Sequence, residues 1–320
     1  MTAPIRIDAL QYCAWSAEIF REMRRGGLDA VHVTLAYHEG FRETVDRITA
    51  WQRLFRAHGD LILPGRDGRD ITTACKTGRT AIFFGAQNPQ VIDNDIALLE
   101  ILHRLGLRFL QLTYNNQSLL GTGWQEAEDT GLTRMGRGAI AEMNRLGLII
   151  DLSHGGERTT LEAAALSTRP IAVTHANPRF ARETGRNVSD RILDALAETG
   201  GMLGLSLYPH HLPQGSETTL TAFAEMAART AERLGPGQLG IGSDLCQGQP
   251  DHVVEWMRTG RWTHHRTGAT FPAQPSWFQT NRDWDNFARA LRQIGFSKAE
   301  TAGILGENWH RFWTAGMEPQ

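Results

Sequence analysis

Eight short apolar runs, each followed by an amphipathic stretch, recur along the 320 residues of this chain. They are Ile7–Leu10, Ala30–Leu35, Ala81–Phe84, Leu107–Thr113, Leu148–Leu152, Ile171–Thr174, Met202–Leu207 and Leu239–Ser243. Their length suits strands buried on both faces of a parallel sheet. Helical patterns separate them: Ser16–Arg25, Phe41–His58, Asp93–Leu105, Met135–Leu146, Arg158–Leu166, Ser189–Glu198 and Leu220–Leu234. Gly106, Gly147 and Gly235 fall where helices should stop. Eight strands alternating with helices predict an α/β fold, a (β/α)8 barrel. The rival, a doubly wound open sheet, would carry a glycine-rich phosphate loop after its first strand, and none follows Ile7–Leu10.

One domain is expected over residues 1–320, with an extended segment at Gln247–Thr280 that carries Trp256, Trp262 and Trp277. Such a loop at the catalytic face of a barrel reads as a lid or a dimer contact, or else as a locally packed excursion. The net charge of −2 and pI near 6.6 speak against nucleic acid or a membrane surface as partner. No apolar run approaches the ~20 residues of a membrane span. The opening MTAPIRIDAL does not read as a signal peptide. Three cysteines, Cys13, Cys75 and Cys246, show no CxxC spacing, which fits a reducing compartment. A soluble cytoplasmic protein is expected.

A barrel places its chemistry where strands end. The fifth run ends in Asp151-Leu152-Ser153-His154, the sixth in Thr174-His175 and the eighth in Ser243-Asp244. Two imidazoles and a carboxylate at three strand ends suit zinc or a similar ion, which would acidify a bound water. Each also has a structural alternative: a hydrogen-bonded histidine, or an aspartate capping the next loop. His210–His211 and His264–His265 lie in loops and read as solvated or incidental.

The stretches GLRFLQLTYNNQ, GLTRMGRGAIAEMNRLG, GLIIDLSHGG, IAVTHANPR, GRNVSDRILDALAETGGMLGLS, LGIGSDLCQG and GENWHRFW, in this order, resemble the membrane (renal) dipeptidase family. That resemblance implies a barrel of the metal-dependent hydrolase type with a two-metal site. It implies His154 and His175 as ligands of one metal, Arg186 as the grip on a substrate carboxylate, and Asp244 as a ligand of the other metal that also handles protons. A homodimer is the family habit.

Departures from the family pattern matter as much. Its first strand ends in a His-x-Asp pair, where this chain has Leu10 and Tyr12. Its bridging glutamate falls at Phe83-Phe84-Gly85-Ala86-Gln87-Asn88, with Phe84 expected in its place and Gln87 the nearest polar substitute. Its Leu-Thr-His after the fourth strand reads Leu112-Thr113-Tyr114 here. One zinc at most, or none, is therefore expected. Leu10, Tyr12, Phe84 and Tyr114 are expected to make one side of the pocket apolar and aromatic. Tyr12 and Tyr114 would bind substrate, with Tyr114 standing where the oxyanion is met. The function implied is a dipeptidase-like metallohydrolase cleaving a dipeptide or small amino-acid amide. The alternatives are action on another small amino-acid derivative with one metal or none, and a non-catalytic small-molecule binder.

Overall fold

A computed structural model describes residues 4–261 and 268–318. Trp262, His264 and His265 lie outside the described residues. Among the described residues nine strands form one parallel sheet: β1 Ile7–Gln11, β2 Ala30–Ala36, β3 Ile62–Gly65, β4 Thr80–Ala86, β5 Leu107–Gln111, β6 Ile149–Asp151, β7 Ala172–Ala176, β8 Met202–Leu205 and β9 Leu239–Ile241. Eight of them close the expected (β/α)8 barrel, because β1 pairs with both β2 and β9 while β2 pairs with β4. The ninth, β3, was absent from the sequence reading. It pairs with the first half of β4, from Thr80 to Phe83, and β5 takes over from Phe84 onward.

Helices cover the outside. Thr133 accepts from Gly136 N and starts Arg134–Leu146, and Gly147 ends that helix at φ 74°. Ser189 caps Asp190–Thr199 in the same way, and Gly200 closes it at φ 74°. These are the start and stop signals that side-chain capping and left-handed glycine supply.

The core has two layers. Ile82, Phe84, Leu107, Leu110 and Ile150 face outward against the helices. Ala30, Ala81, Phe83 and Phe109 face into the barrel with Trp309 and Trp313 of the helix Asn308–Gly316. The C-terminal helix therefore closes the mouth formed by the strand starts, which leaves the opposite mouth for the site. Phe84 packs on Trp51 and Phe55, with ring centroids 5.7 and 5.9 Å away. This corrects the expectation that Phe84 lines the pocket: strand alternation turns Phe83 and Gly85 inward and Phe84 outward.

Candidate active site

His154 follows β6 and His175 lies next to the end of β7, and their Nε2 atoms stand 3.1 Å apart. Hydrogen-bond accounting fixes both tautomers. The Trp124 indole, a donor only, donates to Asn115 Oδ1 at 2.8 Å. The atom facing His154 is therefore an oxygen, and His154 Nδ1–H donates to it at 2.8 Å. Thr174 Oγ1–H donates to Asp151 Oδ2 at 2.6 Å, so His175 Nδ1–H donates to Thr174 Oγ1 at 2.8 Å. Ser153 and Gln111 also donate to the Asp151 carboxylate, at 2.5 and 3.0 Å. Both Nε2 atoms are left as acceptors, and that of His154 faces Arg186 Nη2 at 3.1 Å. Burial first, then the Arg186 guanidinium, pushes both imidazoles well below their usual pKa and keeps them neutral.

Arg186 lies beside this pair. Its Nη2 donates to His175 O at 2.8 Å and stands 3.1 Å from His154 Nε2. Its Nε and Nη1 are buried and have no partner among the described residues. Burial pushes the guanidinium down to about 10, against the pull of Asp244.

Asp244 follows β9 with φ 57°, a backbone state uncommon outside glycine and found at functional sites. Its N–H donates to Leu10 O at 3.0 Å. Its carboxyl is pushed up to about 7, by burial above all, with Arg186 working in the other direction.

Tyr114 stacks on His154 with centroids 4.3 Å apart, and burial raises its phenol well above the usual value. His154, Arg186, Asp244, Tyr114 and Trp124 line one cavity of about 660 Å³. The helix His252–Thr259, inside the Gln247–Thr280 segment, walls it with Val254, Met257 and Arg258. Trp277, farther along that segment, packs on Phe223 and Phe287 instead.

Tyr12, expected in this pocket, lines the adjoining cleft with Trp15, Trp51 and Trp256. It meets Tyr37 edge-on at 4.9 Å, and Tyr37 in turn meets Tyr114 at 5.2 Å. Tyr37, which the sequence reading missed, is therefore the link in the aromatic wall. Gln87, not Phe84, reaches the cavity, and its amide donates to Thr34 Oγ1 and the Tyr37 hydroxyl. His211 was read as incidental. It is buried, lines the cavity and pairs through Nδ1 with Ser206 Oγ at 2.8 Å. The only sequence cue was its place soon after the seventh run.

The two imidazoles could supply part of the ligand set of one divalent ion, and not of two. Two nitrogens sharing one zinc at ~2.0–2.1 Å stand roughly 3.3 Å apart, and the observed 3.1 Å suits that. Each imidazole also has its other nitrogen tied to an oxygen, as metal-ligating histidines do. The second half is missing: Leu10 is apolar, Tyr12 faces elsewhere and Gln87 is an amide. Among the described residues no group of three His, Cys, Asp or Glu could hold an ion.

The fold is a (β/α)8 barrel of the metal-dependent hydrolase type, with two close imidazoles, a buried aspartate and an arginine at its open mouth. The model of the membrane dipeptidase family, peptidase family M19, matches residues 12–263, and this chain belongs to that family. It is 31% identical over 228 residues to the dipeptidase tcpJ of Claviceps purpurea, covering 70% of this chain and 52% of that protein. It is 29% identical over 234 residues to the dipeptidase verJ of Clonostachys rogersoniana, covering 72% and 59%. The chain thus spans between half and three-fifths of these curated relatives. It is also similar to the crystal structure of an amidohydrolase from Pseudomonas aeruginosa, with 34% identity, TM-score 0.94 and 98% and 97% of the two chains covered. Among the described residues no helix is long and apolar enough to cross a membrane.

Proposed function

We propose that this chain hydrolyses a dipeptide or a related small amino-acid amide. One observation carries the reading: a buried guanidinium with two donors unpartnered among the described residues faces the same cavity as His154 and a buried aspartate, with His175 Nε2 3.1 Å from His154 Nε2. Buried N–H groups without partners are costly and are found where a ligand completes them.

Arg186 takes the substrate carboxylate through charge-assisted hydrogen bonds. His154 and His175 would hold one ion, zinc by family habit, which supplies Lewis acidity and lowers the pKa of a water. Asp244, poised near neutrality, receives a proton from the attacking water and returns it to the leaving amine as the C–N bond breaks. Tyr114 keeps its proton and donates its hydroxyl to the carbonyl oxygen on which charge develops. Asn115 and Trp124 hold His154 in the required tautomer, while Asp151 and Thr174 do so for His175.

We further take the chain to act in the cytoplasm as a homodimer. Cys13, Cys75 and Cys246 are free thiols, which suits a reducing compartment. A second reading, ligand binding without turnover, is favoured by one contact. Arg186 Nη2 at 3.1 Å already engages the His154 lone pair that an ion would use.

A dipeptide panel with added zinc separates the two. The proposal expects amino-acid release, reduced at least about 100-fold by His154→Ala and by Asp244→Asn. Binding without release of any amino acid favours the second reading, and undiminished release by His154→Ala removes the assigned mechanism.

A further inference from the structure

We propose that the cavity selects a substrate carrying a second negative group, an acidic side chain or its equivalent, in addition to the carboxylate held by Arg186. The inference rests on the hydrolytic reading for its chemistry, but its binding content can be tested separately.

Three guanidinium groups line the cavity, Arg182, Arg186 and Arg258, against one carboxylate, Asp244. Several arginines elsewhere are ion-paired. Arg233 bonds Asp190 and Asp194, Arg145 bonds Glu100 and Glu142, and Arg158 bonds Glu162. Arg182 and Arg258 form no ion pair among the described residues. Arg182 donates instead to the carbonyls of Pro209 and Leu212, at 3.1 and 3.0 Å, which satisfies hydrogen bonds and leaves its charge uncompensated.

Arg258, on the helix His252–Thr259, lines the same cavity wall as Tyr208 and His210. His210, at the same corner, feels both arginines: burial lowers its pKa first, and Arg258 and Arg182 lower it further. The corner is therefore a concentration of positive charge within a concave wall, where low-dielectric surroundings focus the field.

A substrate with a neutral side chain leaves that charge uncompensated, and a basic side chain meets like charge. An acidic side chain gains a charge-assisted pair with Arg258. Asp244 is one carboxylate against three guanidinium groups, so at least two positive charges of the lining stay uncompensated by it. Selection for an acidic group therefore follows from the charge left open on the cavity wall, and it does not depend on which group activates water.

The test compares matched peptides that differ by one charge, Ala-Glu and Ala-Gln, with both configurations of the second residue. Calorimetric affinity and zinc-supplemented kcat/KM are measured on the intact chain and on Arg258→Gln. We expect the glutamate member to be favoured by about tenfold, and the ratio to fall toward one in Arg258→Gln. Arg258 forms no ion pair among the described residues, and circular dichroism of the variant checks its folding. Equal treatment of the two peptides, a ratio that survives the substitution, or no binding of either peptide overturns the selectivity. Selective binding of Ala-Glu with no cleavage of any peptide supports the selectivity and overturns the hydrolytic reading instead.

Discussion

Replacing Arg186 by methionine should lower activity and raise stability together. The side chain is 6% exposed, and two of its donor atoms are buried without partners. Each such orphan costs about 1–3 kcal/mol, and burying the charge adds several more before compensation. Methionine fills a similar volume without either cost. On the other side, two hydrogen bonds are lost. The His154 Nε2 acceptor becomes open to the cavity, so only His175 O is left orphaned, again at about 1–3 kcal/mol.

The balance is a gain of about 1–3 kcal/mol, read as a rise of a few degrees in Tm. Catalysis moves the other way. Two charge-assisted bonds to the substrate carboxylate, at about 1.5–3 kcal/mol each, amount to about a 100-fold to 10,000-fold loss in kcat/KM. Differential scanning calorimetry and dipeptide kinetics on the same preparation read both. A variant less stable than wild type by more than about 1 kcal/mol would mean that Arg186 is a structural strut, and the anchoring argument would be wrong.

Two further perturbations address the relay and the acid. Trp124→Phe removes the indole donor that fixes the Asn115 amide, so Asn115 can flip and His154 loses its enforced tautomer. Zinc affinity should fall about 10- to 100-fold with little change in Tm, and unchanged affinity would refute the tautomer assignment. Asp244 has a folded pKa near 7 against 3.8 unfolded, so its contribution to stability is full below about pH 4 and is lost as pH rises through 7. In metal-free protein, Asp244→Asn should therefore stabilise at pH 8 by up to about 4 kcal/mol and have little effect at pH 4. A pH-independent difference in Tm would contradict this.

The barrel was legible because its eight wall strands are buried on both faces and read as apolar runs. β3 was not: Ile62-Leu63-Pro64-Gly65 is four residues long, contains proline and glycine, and pairs only with half of β4. His154, His175, Arg186, Asp244 and Tyr114 were legible from strand ends and family resemblance; four of them line one cavity, and His175 Nε2 lies 3.1 Å from His154 Nε2.

What failed was facing. Phe83 and Phe84 are the same residue type, so alternation could not say which enters the barrel. Tyr12 stands at the right strand end but opens onto the neighbouring cleft. His211 and Tyr37 come from irregular segments where no period applies, and their roles depend on tertiary partners, Ser206 for one and Tyr114 for the other. The positive corner at Arg182 and Arg258 was also invisible in sequence, since a net charge of −2 averages it away.

Zinc stoichiometry, by elemental analysis of protein reconstituted with zinc and freed of excess, tests the central claim most directly. The adjacent Nε2 atoms of His154 and His175, with no further ligand set among the described residues, predict no more than one ion per chain, and none in the His154→Ala, His175→Ala double variant. Two ions per chain, or one retained after both imidazoles are removed, would contradict it.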